Sequence, residues 1–305
     1  MNIAFFGTSN RSVPILDVLR EKYNLLLCVT KKSVKVGRHQ TLKENAVETW
    51  AHEKRVNCLT ISRFDVKTTP TVVEQIMNSK ITIGVVADFS LIIPQEVIDT
   101  PRHKIINIHF SLLPKYRGAS PVQHALLNGD EKTGITFYVM DKGMDTGQIV
   151  SQVEYALLGN ETAGELYETL FDLAAQKLPQ VLDGYVAGEL QPVAQKGAAA
   201  VYTYSKTHPK NTFIYKDDAK IDWRLPPSQI EREIRAYNPW PISWTTLGEL
   251  CNAVGLRLRE GADPQTTVKI YDADLVDKRL AVAQLCVAGK KPMTWKEFVN
   301  GYGRG

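Results

Sequence analysis

The first 110 residues alternate short, uninterrupted apolar runs with stretches of helical spacing, and few folds accommodate that pattern. The apolar runs are NIAFFG (2–7), NLLLCVT (24–30), VNCLTI (56–61), ITIGVVA (81–87) and KIINIH (104–109). Between them VPILDVLREKY (13–23), LKENAVETWAHEK (42–54) and TPTVVEQIMNS (69–79) read as helices, the last with Pro70 suited to a first turn. A strand that is apolar on both sides has to be covered on both faces. The pattern therefore predicts an α/β fold built on a mostly parallel sheet. Such sheets hold ligands beyond the carboxyl ends of their strands. Gly7-Thr8-Ser9 closes the first run, but positions 9 and 12 are both serine. The glycine spacing that lets a backbone approach a dinucleotide pyrophosphate is absent.

The fifth run ends in chemistry. IINIHFSLLPKYRGASP (105–121) delivers Asn107 and His109, two apart and so on one face of a strand. The ordinary alternative is a pair of polar caps at a strand end. Downstream, VMDKGMDTGQI supplies Asp141 and Asp145. An amide N–H and an imidazole N–H can jointly donate to an oxygen that turns negative as a carbonyl is attacked. A carboxylate beside the imidazole would orient it and could accept a proton from an attacking amine. No G-x-S-x-G is present, and Ser111 on its own reads as a turn residue. The set suits acyl transfer in which the substrate brings the nucleophile.

Past this point the chain changes character. PVQHALLNGD (121–130) reads as a helix, TGITFYVMD (133–141) as a strand, and residues 161–190 as a long helical region. Periodicity is lost over 191–211, which reads as a linker. The tail carries a helix pattern at 227–237 and strand-like runs at 267–275 and 279–287. The formal net charge is only +4, so no overwhelming polyanion field is implied. Four cysteines lie far apart with no C-x-x-C, which argues against a zinc site or redox pair. The N-terminus lacks a cationic segment before a long apolar stretch, and no apolar run approaches the ~20 residues of a membrane helix. These features lead us to expect a reduced, cytoplasmic protein.

N-I-H-F-S-L-L-P-K-Y-R-G-A-S-P followed by D-K-G-M-D-T-G resembles the 10-formyltetrahydrofolate-dependent formyltransferases. AKIDW (219–223), IRAYNPWPISW (234–244) and AGKKPMTWKEFVNG (288–301) are similar to the C-terminal domain of the methionyl-tRNA branch of that family. The resemblance implies a Rossmann-like catalytic domain over 1–190, a linker over 191–208, and a small OB-like β-barrel over 209–305 that binds tRNA. It implies formyl transfer from 10-formyltetrahydrofolate to the α-amine of methionyl initiator tRNA, without metal, by a monomer. Asn107, His109 and Asp145 would be catalytic. Val86, Asp88, Phe89, Ser90, Ile93, Ser111, Leu112, Leu113, Pro114 and Asp141 would hold the folate. Arg11, Lys35, Arg38 and Arg117 would face the substrate. Three departures stand out. The family commonly has an aromatic after its G-T-P-x opening, where this chain has Arg11. A common folate-loop glycine is Ser90, and the tail between Trp244 and Ala288 is short, so a reduced barrel is expected. The alternatives are the same chemistry on a nucleotide-linked amino sugar, or a tRNA- or folate-binding protein without catalysis.

Overall fold

The computed structural model describes residues 1–36 and 41–304. In chain order it begins β1 (Asn2–Gly7), α1 (Val13–Lys22), β2 (Asn24–Lys31), β3 (Val34–Val36), β4 (Thr41–Lys43), α2 (Ala46–Lys54), β5 (Asn57–Ile61), α3 (Thr68–Asn78), β6 (Ile83–Ala87), α4 (Gln95–Asp99) and β7 (Ile105–His109). It continues α5 (Pro121–Asn128), β8 (Lys132–Val139), β9 (Gln148–Ala156) and α6 (Ala163–Val186). The last part is α7 (Pro227–Ala236), β10 (Ser243–Thr246), α8 (Leu247–Val254), β11 (Arg257–Leu258), β12 (Thr267–Val276), β13 (Arg279–Val287), β14 (Met293–Thr294), α9 (Trp295–Tyr302) and β15 (Gly303–Arg304).

One seven-stranded sheet runs β5-β2-β1-β6-β7-β8-β9. Pairing is parallel from β5 through β7, and β8 joins β7 antiparallel. The five apolar runs became the five parallel strands, and β1 and β6 are buried almost throughout. The order reverses between β1 and β6, so their carboxyl ends flank the crevice where open α/β sheets take ligands. One helix starts later than its pattern suggests. Residues 41–43 form β4, and Asn45 caps α2 by accepting from the N–H groups of Val47 and Glu48. Thr30 and the Lys31 carbonyl hold that cap in place, at 3.0 and 2.7 Å. A fixed N-cap sets a helix start more firmly than hydrophobic spacing does.

The chain divides into two compact units. The first comprises Met1–Arg117, Gly134–Tyr155 and Tyr167–Val201, and holds most of the large sheet. Within it, residues 191–201, expected as linker, are fastened. Ile149 and Val193 exchange two backbone hydrogen bonds of 2.8 Å, and Val201 bonds Pro114 and Arg117. The second unit comprises Gly118–Thr133, Ala156–Leu166 and the chain from Tyr202 onward. For the reduced OB-like barrel expected here, its described residues supply a four-stranded antiparallel sheet, β10-β12-β13-β14, and a separate pair, β11-β15. Its core gathers Ile230 and Ile234 of α7, Leu250 of α8, Val268 and Ile270 of β12, Leu285 of β13 and Phe298 of α9. Burial of a side chain such as Phe298 contributes about 1.5–3 kcal/mol.

Candidate active site

Strand β7 stays regular to its end, so Asn107 and His109 share a face as their spacing requires. The antiparallel neighbour decides what they meet. Register places Tyr138 directly opposite Asn107 and Thr136 opposite His109. The Asn107 amide donates to the Tyr138 hydroxyl at 2.8 Å, and that hydroxyl donates to Asp145 Oδ1 at 2.7 Å. The other carboxylate oxygen, Oδ2, lies 3.7 Å from His109 Nδ1. His109 Nε2 lies 2.8 Å from the Tyr116 carbonyl. A carbonyl only accepts, so Nε2 carries the hydrogen. Asn107, His109 and Asp145 thus come together in one cluster, as the spacing of the motifs suggested. Tyr138 joins them at its centre, and sequence reasoning missed it.

Burial raises the phenol pKa of Tyr138, and the Asp145 charge raises it further. The hydroxyl therefore remains a donor at neutral pH. Asp145 sits in the left-handed backbone region at φ 52°, and so do two neighbours in the site, Tyr116 at 62° and Asp88 at 50°. Non-glycine residues in that region cost of order 1–3 kcal/mol each and cluster at functional sites. Surrounding bonds hold the strain at Asp145. Asp141 Oδ1 accepts from the Gly143 N–H at 2.9 Å and the Thr146 hydroxyl at 2.6 Å, closing the loop. Gln195 Nε2 donates to the carbonyls of Asp145 and Gly147, at 2.9 and 2.7 Å. A methyl group at Gly147 would fall 1.9 Å from the Val139 carbonyl, so only glycine lets the loop return against β8.

The remaining expected residues fall into three groups. Some build the site from behind. Ser111 and Leu113 are buried, with Ser111 Oγ donating to the Lys115 carbonyl at 2.6 Å. The Thr136 hydroxyl donates to the Ser111 carbonyl and accepts from Leu113 N–H, which fixes the turn that also carries Leu112 and Pro114. Arg117 is 6% exposed and donates through Nε and Nη2 to Gln195 Oε1, at 3.1 and 2.7 Å. These bonds brace the Gln195 support of Asp145. Others line the crevice. Val86 pairs with Asn107 across the parallel strands. Phe89 packs edge-on against Phe6 and Phe64, at 5.9 and 6.4 Å between centroids. Ile93 is buried beneath the same loop, where Asp88 and Ser90 are exposed. Arg11 lies over the ring of Tyr167, 4.3 Å from its centroid. The last group is Lys35, on strand β3, and Arg38, which lies outside the described residues.

Two polar atoms at the crevice carry a further message. The hydroxyls of Thr8 and Ser9, at the carboxyl end of β1, are buried without a hydrogen-bond partner. The Thr8 N–H donates to the Asp88 carbonyl at 3.2 Å, which ties this corner to the β6 loop. Orphaned hydroxyls next to a partly buried aromatic, Phe89, suit a flat ligand with polar edges, as a pterin is. No group of three His, Cys, Asp or Glu able to hold a metal stands among the described residues.

Comparison with known proteins identifies the family. Residues 1–182 match the formyl transferase family model and residues 213–303 match the formyl transferase C-terminal domain. This chain belongs to the formyl transferase family. A methionyl-tRNA formyltransferase of Geobacillus sp. is 31% identical over 99% of this chain and 95% of its own. That of Myxococcus xanthus is 31% identical over 98% and 95%. Among solved structures, the methionyl-tRNA formyltransferase of Clostridium thermocellum has a TM-score of 0.60 at 17% identity, covering 94% of this chain and 98% of that one. WlaRD, a sugar 3N-formyl transferase solved with dTDP and 5-N-formyl-THF, also has a TM-score of 0.60, at 20% identity over 91% and 87%. At these identities the structural matches establish the fold.

Proposed function

We propose that this chain transfers the formyl group of 10-formyltetrahydrofolate to the α-amine of methionyl initiator tRNA, acting as a cytoplasmic monomer. The observation that carries the chemistry is the Asn107–Tyr138–Asp145–His109 cluster at the carboxyl end of β7. The near full-length likeness to methionyl-tRNA formyltransferases supports the amine acceptor. No described helix is long and apolar enough to cross a membrane.

When bound, 10-formyltetrahydrofolate supplies the formyl carbon. Thr8, Ser9, Asp88, Phe89 and the exposed Ile92 would hold it over the crevice. An α-amine has a pKa near ~7.7–8.0, so a useful neutral fraction exists at pH 7. The Asn107 amide has two N–H groups, of which one bonds Tyr138. The second donates to the formyl oxygen as negative charge develops there. Asp145 takes up the positive charge of the attacking amine. Its Oδ1 is held by Tyr138, and its Oδ2 is aimed across a gap to His109. At 3.7 Å that gap exceeds a direct hydrogen bond and lies within ion-pair reach. His109 would receive the released proton at Nδ1, with Nε2–H anchored on Tyr116, and would hand it to the folate nitrogen as the bond from that nitrogen to the formyl carbon breaks. The sequence had suggested His109 as a second oxyanion donor. With Nε2 engaged by Tyr116, the proton-holding role fits the ring better.

The test is the mass of charged tRNA after incubation with 10-formyltetrahydrofolate, run beside a nucleotide-linked amino sugar. Formyl-methionyl-tRNA is the expected product. Formylation of the amino sugar alone would assign a different acceptor to the same site.

A further inference from the structure

Two buried carboxylates in the second unit share one cavity and differ in a telling way. The cavity holds about 220 Å³ between α5, α7 and the segment around residues 204–218. Its wall includes His124, Asn128, Tyr204, Lys206, Gln229 and Glu233. Asp218, also in the wall, is 1% exposed and saturated. It accepts from Ser205 Oγ, from the Thr207 N–H and hydroxyl, and from the Tyr215 N–H, at 2.7–2.9 Å. Asp218 builds the loop. Glu233 is 4% exposed and is not saturated. Its Oε1 lies 3.6 Å from Lys206 Nζ, and its Oε2 has no hydrogen-bond partner. A buried carboxylate oxygen left without a donor is costly, and beside an open cavity it calls for a donor from a bound molecule, ion or water.

We propose that this cavity is a recognition site for one unpaired RNA nucleotide whose base carries an exocyclic amine. Three features select that ligand. Glu233 Oε2 is an acceptor waiting for an N–H donor, which the exocyclic amines of guanine, cytosine and adenine present on their pairing edges, while uracil offers only its ring N3–H. Tyr204 is 49% exposed and stacks on Tyr202, 5.6 Å between centroids at 23°, which extends an aromatic surface at the cavity. Single-stranded RNA is read by this combination of ring stacking and hydrogen bonds to base edges. Lys206, whose side chain is 47% exposed, offers its charge both to Glu233 and to a phosphate outside. A wall fastened by Asp218 and by His124, whose ring nitrogens face the Ser120 and Tyr204 carbonyls, is preformed for binding. The inference deepens the tRNA reading and rests on it for the identity of the RNA.

The experiment titrates the full chain with GMP, CMP and UMP by isotope-edited NMR, and in parallel measures KM for methionyl-tRNA. GMP or CMP should saturate at least several-fold more tightly than UMP, which lacks the exocyclic amine. Glu233→Gln should weaken that binding about tenfold and raise the tRNA KM by a similar factor. Tyr204→Ala, at a half-exposed position, should cost both several-fold while the melting temperature stays close to that of the parent chain. Equal affinity for all three nucleotides, binding matched by inorganic phosphate or spermidine, or nucleotide binding unmoved by either variant overturns the proposal. The two readings fail separately. If the unmodified chain does not formylate methionyl-tRNA, the acceptor assignment falls while the nucleotide titration still decides the cavity. If it does and the variants leave KM alone, only the cavity proposal falls.

Discussion

The two sheets of this molecule solve opposite problems. The large sheet buries both faces of its central strands β1, β6 and β7, so its candidate chemistry sits at strand ends, where loops held by side-chain bonds carry Asp145 and Tyr116. The small sheet buries one face. Along β12 the burial alternates, with Val268, Ile270 and Ala273 inside and Thr267, Lys269 and Asp272 outside. A half-open sheet stores its stability in one layer of contacts, chiefly around Phe298, which stacks between Trp295 and Tyr302 at 5.3 and 5.4 Å. The difference teaches where each part is vulnerable. The first unit is expected to lose function at single polar atoms, and the second to lose stability at single apolar ones.

The largest effect should therefore come from Phe298→Ala. Truncation of a fully buried phenylalanine costs about 3–5 kcal/mol. Urea unfolding followed by tryptophan fluorescence should show that loss, because Trp295 is the ring's neighbour. A loss under about 1 kcal/mol would show that the half-open sheet does not rest on this layer.

Next come Asn107→Ala and Asp145→Asn. Removal of one donor to a developing oxyanion costs ~10²–10³ in turnover. Each variant should lose at least that in kcat while its melting temperature stays close to that of the parent chain. Near-normal turnover in Asp145→Asn would break the assignment of the carboxylate. A large fall in melting temperature for either variant would erase the contrast between polar atoms that serve function and apolar ones that serve stability.

Tyr138→Phe sharpens the same point with a smaller effect. The substitution keeps the ring and deletes the hydroxyl that accepts from Asn107 and donates to Asp145. Both partners remain, less well aimed, so kcat should fall about tenfold, on the scale of one lost hydrogen bond to a charged group. Asn107→Ala in the Tyr138→Phe background should then cost less than it does alone, because the two residues act through one network. Fully additive losses would mean that the hydroxyl only packs.

The sequence reading placed all five parallel strands within two residues of their positions, because a doubly buried strand leaves an unbroken apolar run that needs no context. Asn107, His109 and Asp145 were legible for a related reason: strand alternation and a loop motif are local. Tyr138 was not. Its role depends on which residue of β8 stands opposite Asn107, and antiparallel register is set by side chains of both strands and the turn between them. The alternation of TGITFYVMD does put Thr136, Tyr138 and Met140 on one face, so one extra assumption about pairing would have nominated Tyr138. The stretch 191–201 looked like a linker because its bonds are to distant backbone N–H groups and carbonyls, which leave no periodic trace. The Glu233 cavity was invisible for the same reason: in IEREIRAY, Glu233 reads as one more charge on an amphipathic helix, and only α5 and the 204–218 segment bury it.

The smallest expected effect concerns that cavity and turns on pH. Burial pushes the Glu233 carboxyl pKa up, and the nearby Lys206 charge only partly offsets it, while Asp222 adds to the rise. For Asp218 burial also acts upward, but hydrogen bonds from Thr207, Tyr215 and Ser205 outweigh it and the net shift is downward. The signs lead to opposite windows. An acid whose pKa rises on folding binds more protons folded than unfolded, so the stability linked to Glu233 is present at low pH. That stability is lost as pH climbs through the raised value. The contribution of Asp218 is present above the unfolded carboxyl range near ~3.9 and lost as pH falls through its lowered value. At pH 7 Glu233 is thus a burden on the fold, and Glu233→Gln should stabilise the chain by about 1 kcal/mol or less in urea unfolding. At pH 4, where the parent carboxyl is protonated in the fold, the gain should vanish. An equal gain at both pH values would assign the effect to shape and not to charge. A gain at pH 7 together with weaker nucleotide binding would mark Glu233 as a residue kept for its ligand at the expense of stability, the exchange seen where binding sites hold unsatisfied groups. The open-faced second unit would then have one polar atom as consequential as those at the ends of the parallel strands.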